Sequence, residues 1–180
     1  MPSFDTPYCL TMTDLMELEQ WKELERKLHE TTGMNAGACN SDGAMFTGFK
    51  AWANRLCPRI KSEPAGIQAI CAVANKAMMA RAKEQKCPII EQCDAGLSKI
   101  CVPIFVDGVF VGSIGGCGVL RPGDEVETFL VHKALGADES EIVELASDVP
   151  VMDVAALNAV AVDLEKQMLA VVEHFKARKG

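Results

Sequence analysis

Apolar residues recur at helical spacing in three long segments of the chain. In residues 13–32 they are three and four residues apart, and Gly33 suits the left-handed exit of a helix. A second helix is predicted for residues 65–86. The most regular pattern lies in residues 153–178, where apolar positions form a heptad seam over about three repeats. These three segments are therefore predicted to be helices.

Strand patterns occupy the chain between these helices, and two of them contain an Asp-Gly pair. Asp42-Gly43 separates "MNAGACN" from "AMFTGFK", and Asp107-Gly108 divides the stretch "CDAGLSKICVPIFVDGVFVGSIGGCGVL". Asp-Gly favours tight hairpin turns because these turns need positive φ. The sequence therefore predicts two hairpins, and "CPIIEQC" supplies one further short strand.

The order of these elements predicts the fold class. Two hairpins around a helical crossover form an α+β domain with a five-stranded antiparallel sheet, flanking helices and a long C-terminal helix. This order is typical of the PAS and GAF group of small-molecule sensor domains. We assign residues 12–150 to the domain itself and residues 151–180 to a C-terminal amphipathic helix that belongs to the same unit.

The heptad seam of the last helix has two interpretations. The helix could pack on its own domain, or it could pair with a parallel copy across a homodimer. In the second case Leu157, Leu164, Met168 and Val171 would form the contact, and the helix would transmit a signal between domains.

Composition and charge narrow the function classes. The 180 residues carry a net charge of −7 without a clustered Lys/Arg face, which argues against nucleic-acid binding. No run of about 18 apolar residues is present, so we expect no membrane-spanning helix. The start "MPSFDTPYCLTM" lacks the basic and apolar blocks of a signal peptide, so the chain is predicted to be cytoplasmic. In that compartment its eight cysteines are expected to be thiols, metal ligands or redox groups.

A set of short motifs occurs in order between residues 57 and 120. They are Cys57 with "IKSEPAG" after it, Cys71 within a predicted helix, "CDAGL" at 93–97, "VPIFVDG" at 102–108 and "GGCGVL" at 115–120. This ordered set resembles the PocR sensory-domain family. With the leading segment "DLMELEQWKELERKLHETTGMNAGACNSDG", the resemblance covers roughly residues 12–120.

The resemblance implies a ligand-sensing domain with a PAS-like fold. Such domains usually lie upstream of DNA-binding or histidine-kinase modules in bacterial regulators, and the family is thought to sense small organic molecules such as diols. The chain departs from the family at Asp94, where His is common, and at Cys117, where Gln is common. These changes put the usual ligand in question. Since no output module follows residue 180, we expect an isolated sensor or a stand-alone protein.

The last predicted strand contains four glycines, Gly112, Gly115, Gly116 and Gly118. Glycine weakens a strand unless something must approach its backbone. In a PAS-like sheet the ligand lies between the sheet face and the crossover helices, so Gly115 and Gly116 are candidate ligand-binding positions. The alternative is a strongly coiled strand with bulges, which also uses glycine.

Four cysteines lie in elements that could face one pocket, namely Cys57, Cys71, Cys93 and Cys117. Four thiolates suit zinc or an iron–sulfur cluster. However, separations of 14, 22 and 24 residues lack the C-x-x-C pairing of a strong metal motif. The alternatives are thiols that pack or line a ligand pocket, and thiols that act as a redox switch. Cys101 could replace one of the four.

Asp94 follows Cys93 at a strand end and is a candidate ligand-binding residue. Its carboxylate could accept a hydrogen bond from a ligand hydroxyl or amine. Alternatively, it could form an Asx turn that leads into Ala95-Gly96.

Three functions remain open at this point. The leading one is a cytoplasmic sensory domain that binds a small organic ligand in a PAS-like pocket and signals by a conformational shift. The others are a sensor with a cysteine-ligated metal or iron–sulfur cluster, and a non-catalytic adaptor that acts through its helical surface. We expect no enzyme, because no Ser or Cys nucleophile has a nearby His in the sequence.

Overall fold

The computed structural model describes residues 9–179, and its centre is one antiparallel sheet. Residues 1–8 and Gly180 lie outside the described residues, and with them most of the N-terminal segment from which a cytoplasmic location is predicted. The strands are β1 (Asn35–Asn40), β2 (Ile89–Gln92), β3 (Ser98–Val106) and β4 (Val109–Val119). They lie side by side in the order β1, β4, β3, β2, so β4 and β3 are the central strands.

Helices cover both faces of this sheet. In chain order they are α1 (Met12–Leu15), α2 (Leu18–Thr32), α3 (Leu56–Lys61), α4 (Pro64–Gly66), a π-helical segment (Ile67–Ala72), α5 (Val73–Gln85), α6 (Thr128–Leu135), α7 (Glu139–Ala146) and α8 (Val154–Lys179). The predicted crossover helix is thus confirmed, but its N-terminal part is π-helical. None of the helices within residues 9–179 is both long and apolar enough to cross a membrane.

The prediction of five strands is wrong, because "AMFTGFK" does not form a strand. The predicted turn at Asp42-Gly43 does form: the Asn40 N–H donates to the carbonyl of Ala44 at 2.9 Å. Beyond it, a single bridge between Cys39 and Met45 is the whole of the pairing. Gly48 then adopts a positive φ of 71°, which turns the chain away from the sheet. The hairpin therefore ends after one pair.

The second predicted hairpin, between β3 and β4, is confirmed. Asp107 and Gly108 both have positive φ, 47° and 81°, as the favoured two-residue turn requires. The pairing of these strands is irregular at two places, one at Ser98/Lys99 and one at Ile104/Phe105. Such shifts are typical of bulges, which increase the local twist of a strand.

Two helix boundaries differ from the sequence prediction. The helix predicted for residues 13–32 breaks at Met16, which has an extended backbone, and a capping box starts the helix on each side of the break. The predicted loop before the crossover contains α3. The side-chain oxygen of Asn54 accepts a hydrogen bond from the Cys57 N–H at 2.7 Å, so Cys57 lies in the first turn of a helix and not in a loop.

The main apolar core lies between α8 and one face of the sheet. Alternate residues of β3, namely Ile100, Val102 and Ile104, point to this face and are fully buried. Their counterparts on α8 are the buried positions of its heptad seam: Leu157, Ala161, Leu164, Met168, Val172 and Phe175. The first of the two interpretations of the seam therefore describes the helix.

The seam residues proposed for a dimer contact are consequently corrected. Leu157, Leu164 and Met168 are 1%, 1% and 3% exposed within the chain, and Val171 packs against the same core. An apolar stripe on a helix can pack against a second helix or against a sheet, so the periodicity of the sequence does not distinguish a dimer contact from packing within the chain. The homodimer itself stays a prediction, but these side chains are not available to a second copy.

Glu25 of α2 is a buried carboxyl at the free edge of the sheet. Its Oε1 accepts a hydrogen bond from the Ala38 N–H of β1 at 2.7 Å. Its Oε2 is buried, and the side chain of Thr47 lies beside the carboxyl. Burial raises the pKa of Glu25 above its ordinary value, because the charged form loses its hydration, and hydrogen bonding with Thr47 opposes this effect.

The burial of the seam leads to a test of stability. We expect Leu164→Ala to lower the free energy of unfolding by about 2–5 kcal/mol, since it removes a fully buried side chain from the core. Val143→Ala on α7 is the control: Val143 is 55% exposed and should change stability by at most about 0.5 kcal/mol. Urea unfolding followed by circular dichroism measures both. Equal effects would contradict the assignment of the buried face.

Candidate functional site

A cavity of about 310 Å³ lies between the second face of the sheet and the π-helical segment. Its size is that of a pocket for a small molecule. The lining residues are Asn35, Ala36, Gly37 and Cys39 of β1; Gly43 and Met45; Lys61 of α3; Ile67, Cys71 and Ala72 of the π segment; Asn75 of α5; Lys99, Ile100 and Cys101 of β3; and Ser113, Gly115, Gly116 and Cys117 of β4.

The cavity exists because the sheet carries small side chains at its centre. Gly37 of β1 pairs with Gly115 of β4, and Gly115 pairs with Cys101 of β3. Gly37, Gly115 and Cys101 thus form a row across three neighbouring strands, and this row has very little side-chain volume. The crossover helix spans this row, so the space beneath it is left open.

The roof of the cavity is the π-helical segment, which contributes Ile67, Cys71 and Ala72 to the lining. A π-helix has one residue more per hydrogen-bonded turn than an α-helix, so its turns are wider. Such segments are rare and occur frequently at functional sites. A change between π and α geometry would rotate these side chains relative to the sheet.

The glycines of β4 have structural roles that the sequence left open. A Cβ on Gly115 would overlap the carbonyl oxygen of Ile100, and one on Gly112 would overlap that of Cys39. A Cβ on Gly116 would lie 3.0 Å from the Cβ of Met34, in the main core. Gly115 and Gly116 therefore line the cavity with their backbones, while the absence of their side chains serves strand packing.

Gly37 is the glycine that the sequence analysis did not single out. A Cβ there would meet only the flexible end of Met45, whose Cε would lie 3.0 Å away. The missing side chain of Gly37 thus leaves room in the cavity itself. A glycine inside the short strand pattern "MNAGACN" was the signal that could have identified it.

The structure gives the four predicted thiols two settings. Cys71 and Cys117 line the cavity. Cys57 and Cys93 belong to the adjacent apolar cluster formed with α6 and α7, and Cys71 packs against this cluster as well. Asn35 connects the two settings: its Nδ2 lies 3.6 Å from the Sγ of Cys117, and its amide also contacts the Cys57 thiol. The four thiols therefore lie in one region, on both sides of one wall of the cavity.

Burial favours the protonated form of three of these thiols, Cys57, Cys71 and Cys93. Burial, together with the neighbouring Cys117 and Cys93, raises the pKa of Cys57 to about 12. Burial also raises the pKa of Cys71 and of Cys93 above the ordinary value. Zinc and iron bind the thiolate, not the thiol. Among residues 9–179, no group of three or more His, Cys, Asp or Glu side chains is arranged to hold a metal ion.

Two further cysteines, Cys39 and Cys101, belong to the cavity but were not among the four predicted. Burial raises the pKa of both thiols, and for Cys101 a hydrogen bond with Ser113 opposes this effect. Asn75 of α5 donates to the carbonyl of Gly43 at 3.3 Å and lies 3.9 Å from the Sγ of Cys39. The sequence signal for Cys101 was the alternation along β3, which places Cys101 and Ile100 on opposite faces of the sheet.

The polar lining is completed by two lysines, Lys61 and Lys99, which sequence reasoning also missed. Lys99 alternates with buried Ile100 on a central strand, where a charged residue is unusual. The ammonium of Lys61 lies 5.2 Å from the ring centroid of Trp52, a cation–π contact. Both lysines are half-buried.

Asp94 lies outside the cavity. It is exposed and occupies a turn in which the Gly96 N–H donates to the carbonyl of Cys93 at 2.8 Å. Asp94 therefore lies in a backbone turn. Strand β2 ends at Gln92, and the turn carries Asp94 to the surface near α6 instead of toward the ligand space.

Comparison with known protein families gives one match, to the sensory domain found in PocR, and it covers residues 14–174. The chain belongs to the PocR sensory-domain family. Comparisons with curated proteins and with solved structures found no significant match. The match extends beyond the motifs at 57–120 on both sides and includes most of α8. A sensory role for this PocR domain follows from its family.

The pKa of Cys57 leads to a chemical test on this PocR domain. Because its pKa is raised to about 12, the Cys57 thiol should stay protonated and unlabelled when native protein is treated with iodoacetamide at about pH 8. The exposed Cys9 should be labelled in the same sample. Peptide mass spectrometry measures both, and protein unfolded in urea is the control in which both react. Native Cys57 that is labelled as fast as Cys9 would contradict this assignment.

Proposed function

We propose that this chain is a cytoplasmic sensory domain that binds a small organic ligand in the cavity beneath the π-helical segment. The observation that carries the proposal is the cavity itself, about 310 Å³ of mostly apolar space with a few convergent polar groups. This is the arrangement expected of a PAS-like domain, in which the ligand lies between the sheet and its covering helices. The family supplies the sensory role.

The signalling step would be a shift in conformational population. Ile100 of β3 lines the cavity and also belongs to the core that holds α8 on the other face of the sheet. A ligand that contacts β3 and the π segment favours the arrangement in which both contacts are made. Because α8 packs along β3, such a shift changes the position of the C-terminal helix.

Two alternatives have less support. The metal or iron–sulfur sensor would need a converged set of ligands, and no group of three or more His, Cys, Asp or Glu side chains among residues 9–179 is arranged to hold a metal ion. The adaptor function has no specific surface feature in its favour within the described residues. The ligand sensor is the function that uses the cavity.

Filling the cavity tests the proposal. We expect Gly37→Val to fold normally, because only the flexible end of Met45 must move, and to lose ligand binding. A panel of small metabolites screened by thermal shift would identify compounds that stabilise the wild type. Those compounds should fail to stabilise Gly37→Val.

Ala155→Val is the control, since it adds a comparable side-chain volume on the exposed face of α8. It should keep the response of the wild type. Compounds that stabilise Gly37→Val as strongly as the wild type would place their binding site elsewhere and overturn the proposal.

We also propose that the chain forms a homodimer, now through the outward face of α8. Val162 and Leu169 lie on this face and are 48% and 61% exposed. Exposed apolar residues at helical spacing form a possible seam for a parallel helix pair.

Sedimentation velocity tests the dimer. The wild type should sediment as a dimer and Leu169→Glu as a folded monomer, because the variant places charge in the contact. Val143→Glu on α7, also at an exposed apolar position, is the control and should remain dimeric. A monomeric wild type at high concentration would rule out this contact.

A further inference from the structure

The charged groups of the cavity all have the same sign. Lys61 and Lys99 belong to the lining, whereas none of the lining residues, all within the described chain, is Asp or Glu. Neither ammonium forms a salt bridge with a carboxylate among residues 9–179. In a chain with a net charge of −7, two lysines without acidic partners at one cavity are unusual. Glu91 of β2 pairs across the sheet with Lys99, but its carboxylate forms a salt bridge with Arg81, so the charged groups of the lining itself are both positive.

Lys61 and Lys99 both lie close enough to Cys39 and Cys71 to influence the pKa values of these two thiols. Burial raises the pKa of Cys39 and of Cys71, and for each thiol the charges of Lys61 and Lys99 oppose that effect. A positive charge favours the anionic form of a nearby group. An anion in the cavity between these thiols would be stabilised by the same two charges.

The other polar groups of the lining are largely engaged within the protein. The Oδ1 of Asn35 accepts a hydrogen bond from the Ala53 N–H at 2.6 Å, and its Nδ2 faces Cys117. Ser113 is hydrogen-bonded with Cys101. The Nδ2 of Asn75 is directed at Gly43 and at neighbouring sulfur atoms. The two ammonium groups thus remain as the strong hydrogen-bond donors of the lining.

The rest of the lining is apolar. Ile67, Met45, Ile100 and the glycine row present hydrocarbon and backbone to the cavity. A tetrahedral phosphate would need donors on several sides, whereas a carboxylate needs them at one end only. The remainder of such a ligand would then be covered by apolar contacts.

We propose that the ligand of this cavity is a small organic monocarboxylate with a short hydrocarbon body, whose carboxylate binds Lys61 and Lys99. The inference rests on the proposed ligand-binding function and adds the chemical class of the ligand. The two lysines are the specificity-determining residues, because they distinguish an acid from a neutral molecule of the same shape.

Pairs of acids and their isosteric amides test this class. Butyrate and butyramide form one pair, and benzoate and benzamide form a larger pair. Ligand-observed NMR titration at low salt measures binding to the full chain. We expect at least one acid to bind and its amide to bind at least about 10-fold more weakly.

Lysine variants then assign the interaction to the cavity. Lys99→Met and Lys61→Met keep most of the side-chain length but remove the charge, and each should raise the Kd of the bound acid about 10- to 100-fold. Lys133→Met on α6 removes the same charge at an exposed position outside the cavity lining and should leave the Kd unchanged. Circular dichroism confirms that the variants are folded.

The outcomes separate this inference from the proposed function. Amides that bind as tightly as acids, with binding lost in Gly37→Val, would overturn the carboxylate class but keep the cavity as the ligand site. Inorganic phosphate that displaces the acid at equal concentration would also overturn the carboxylate class. Acids that bind equally to both lysine variants would remove the lysines from recognition. Compounds whose binding survives Gly37→Val would overturn the proposed function itself.

Discussion

The close approach of the β4 backbone to its two neighbours is the constraint on which the rest of the structure depends. At Gly112 the strand passes so near to Cys39 of β1 that a side chain cannot be placed, and at Gly115 the same holds for Ile100 of β3. A Cβ on Gly112 would also meet Met12 in the main core, whereas Gly115 lies on the other face, where it pairs with Gly37 and Cys101 and leaves little side-chain volume. Since the crossover helix must still cover that face, a cavity remains beneath it. The pocket is therefore a product of strand geometry before it is a binding site.

The two faces of β3 contact different parts of the structure. One face carries Lys99 and Cys101 into the cavity, and the other carries Ile100 and Val102 into the core with α8. Successive residues of one strand thus reach both the cavity and the C-terminal helix. No relay of intermediate elements is needed, because a displacement of the strand backbone acts on both sides at once.

Some features of the fold could be predicted from the sequence. The others depend on tertiary contacts that the sequence pattern does not specify. Asp107-Gly108 indicated the central hairpin because few residue pairs tolerate two positive φ angles. The same logic at Asp42 correctly predicted a turn but not the absence of a second strand, since strand formation after a turn depends on tertiary pairing. The seam around Leu164 predicted a helix, but an apolar stripe does not say which surface it covers.

The sequence predicted the location of the candidate site better than the chemical nature of its lining. Of the motifs from Cys57 to Cys117, "GGCGVL" and the helix with Cys71 contribute to the cavity lining, whereas "CDAGL" at 93–97 lies outside it. The π-helical geometry has no recognisable sequence signature in "IQAICA". The charge of the cavity was missed because Lys61 and Lys99 are distant in sequence, and only the fold shows that no acid accompanies them in the lining.

The buried Glu25 has a consequence for the energetics of the whole chain. Its folded-state pKa lies above the unfolded value, so the folded chain retains a proton that the unfolded chain has already released. Folding is therefore coupled to the uptake of a proton at pH values between the unfolded and the folded pKa of Glu25. The stabilisation that the protonated carboxyl provides is complete below the unfolded pKa and is lost as the pH rises through the folded one. Because the Glu25 carboxyl holds the edge of β1, the strand that carries Gly37, proton concentration is thermodynamically linked to the stability of the cavity wall.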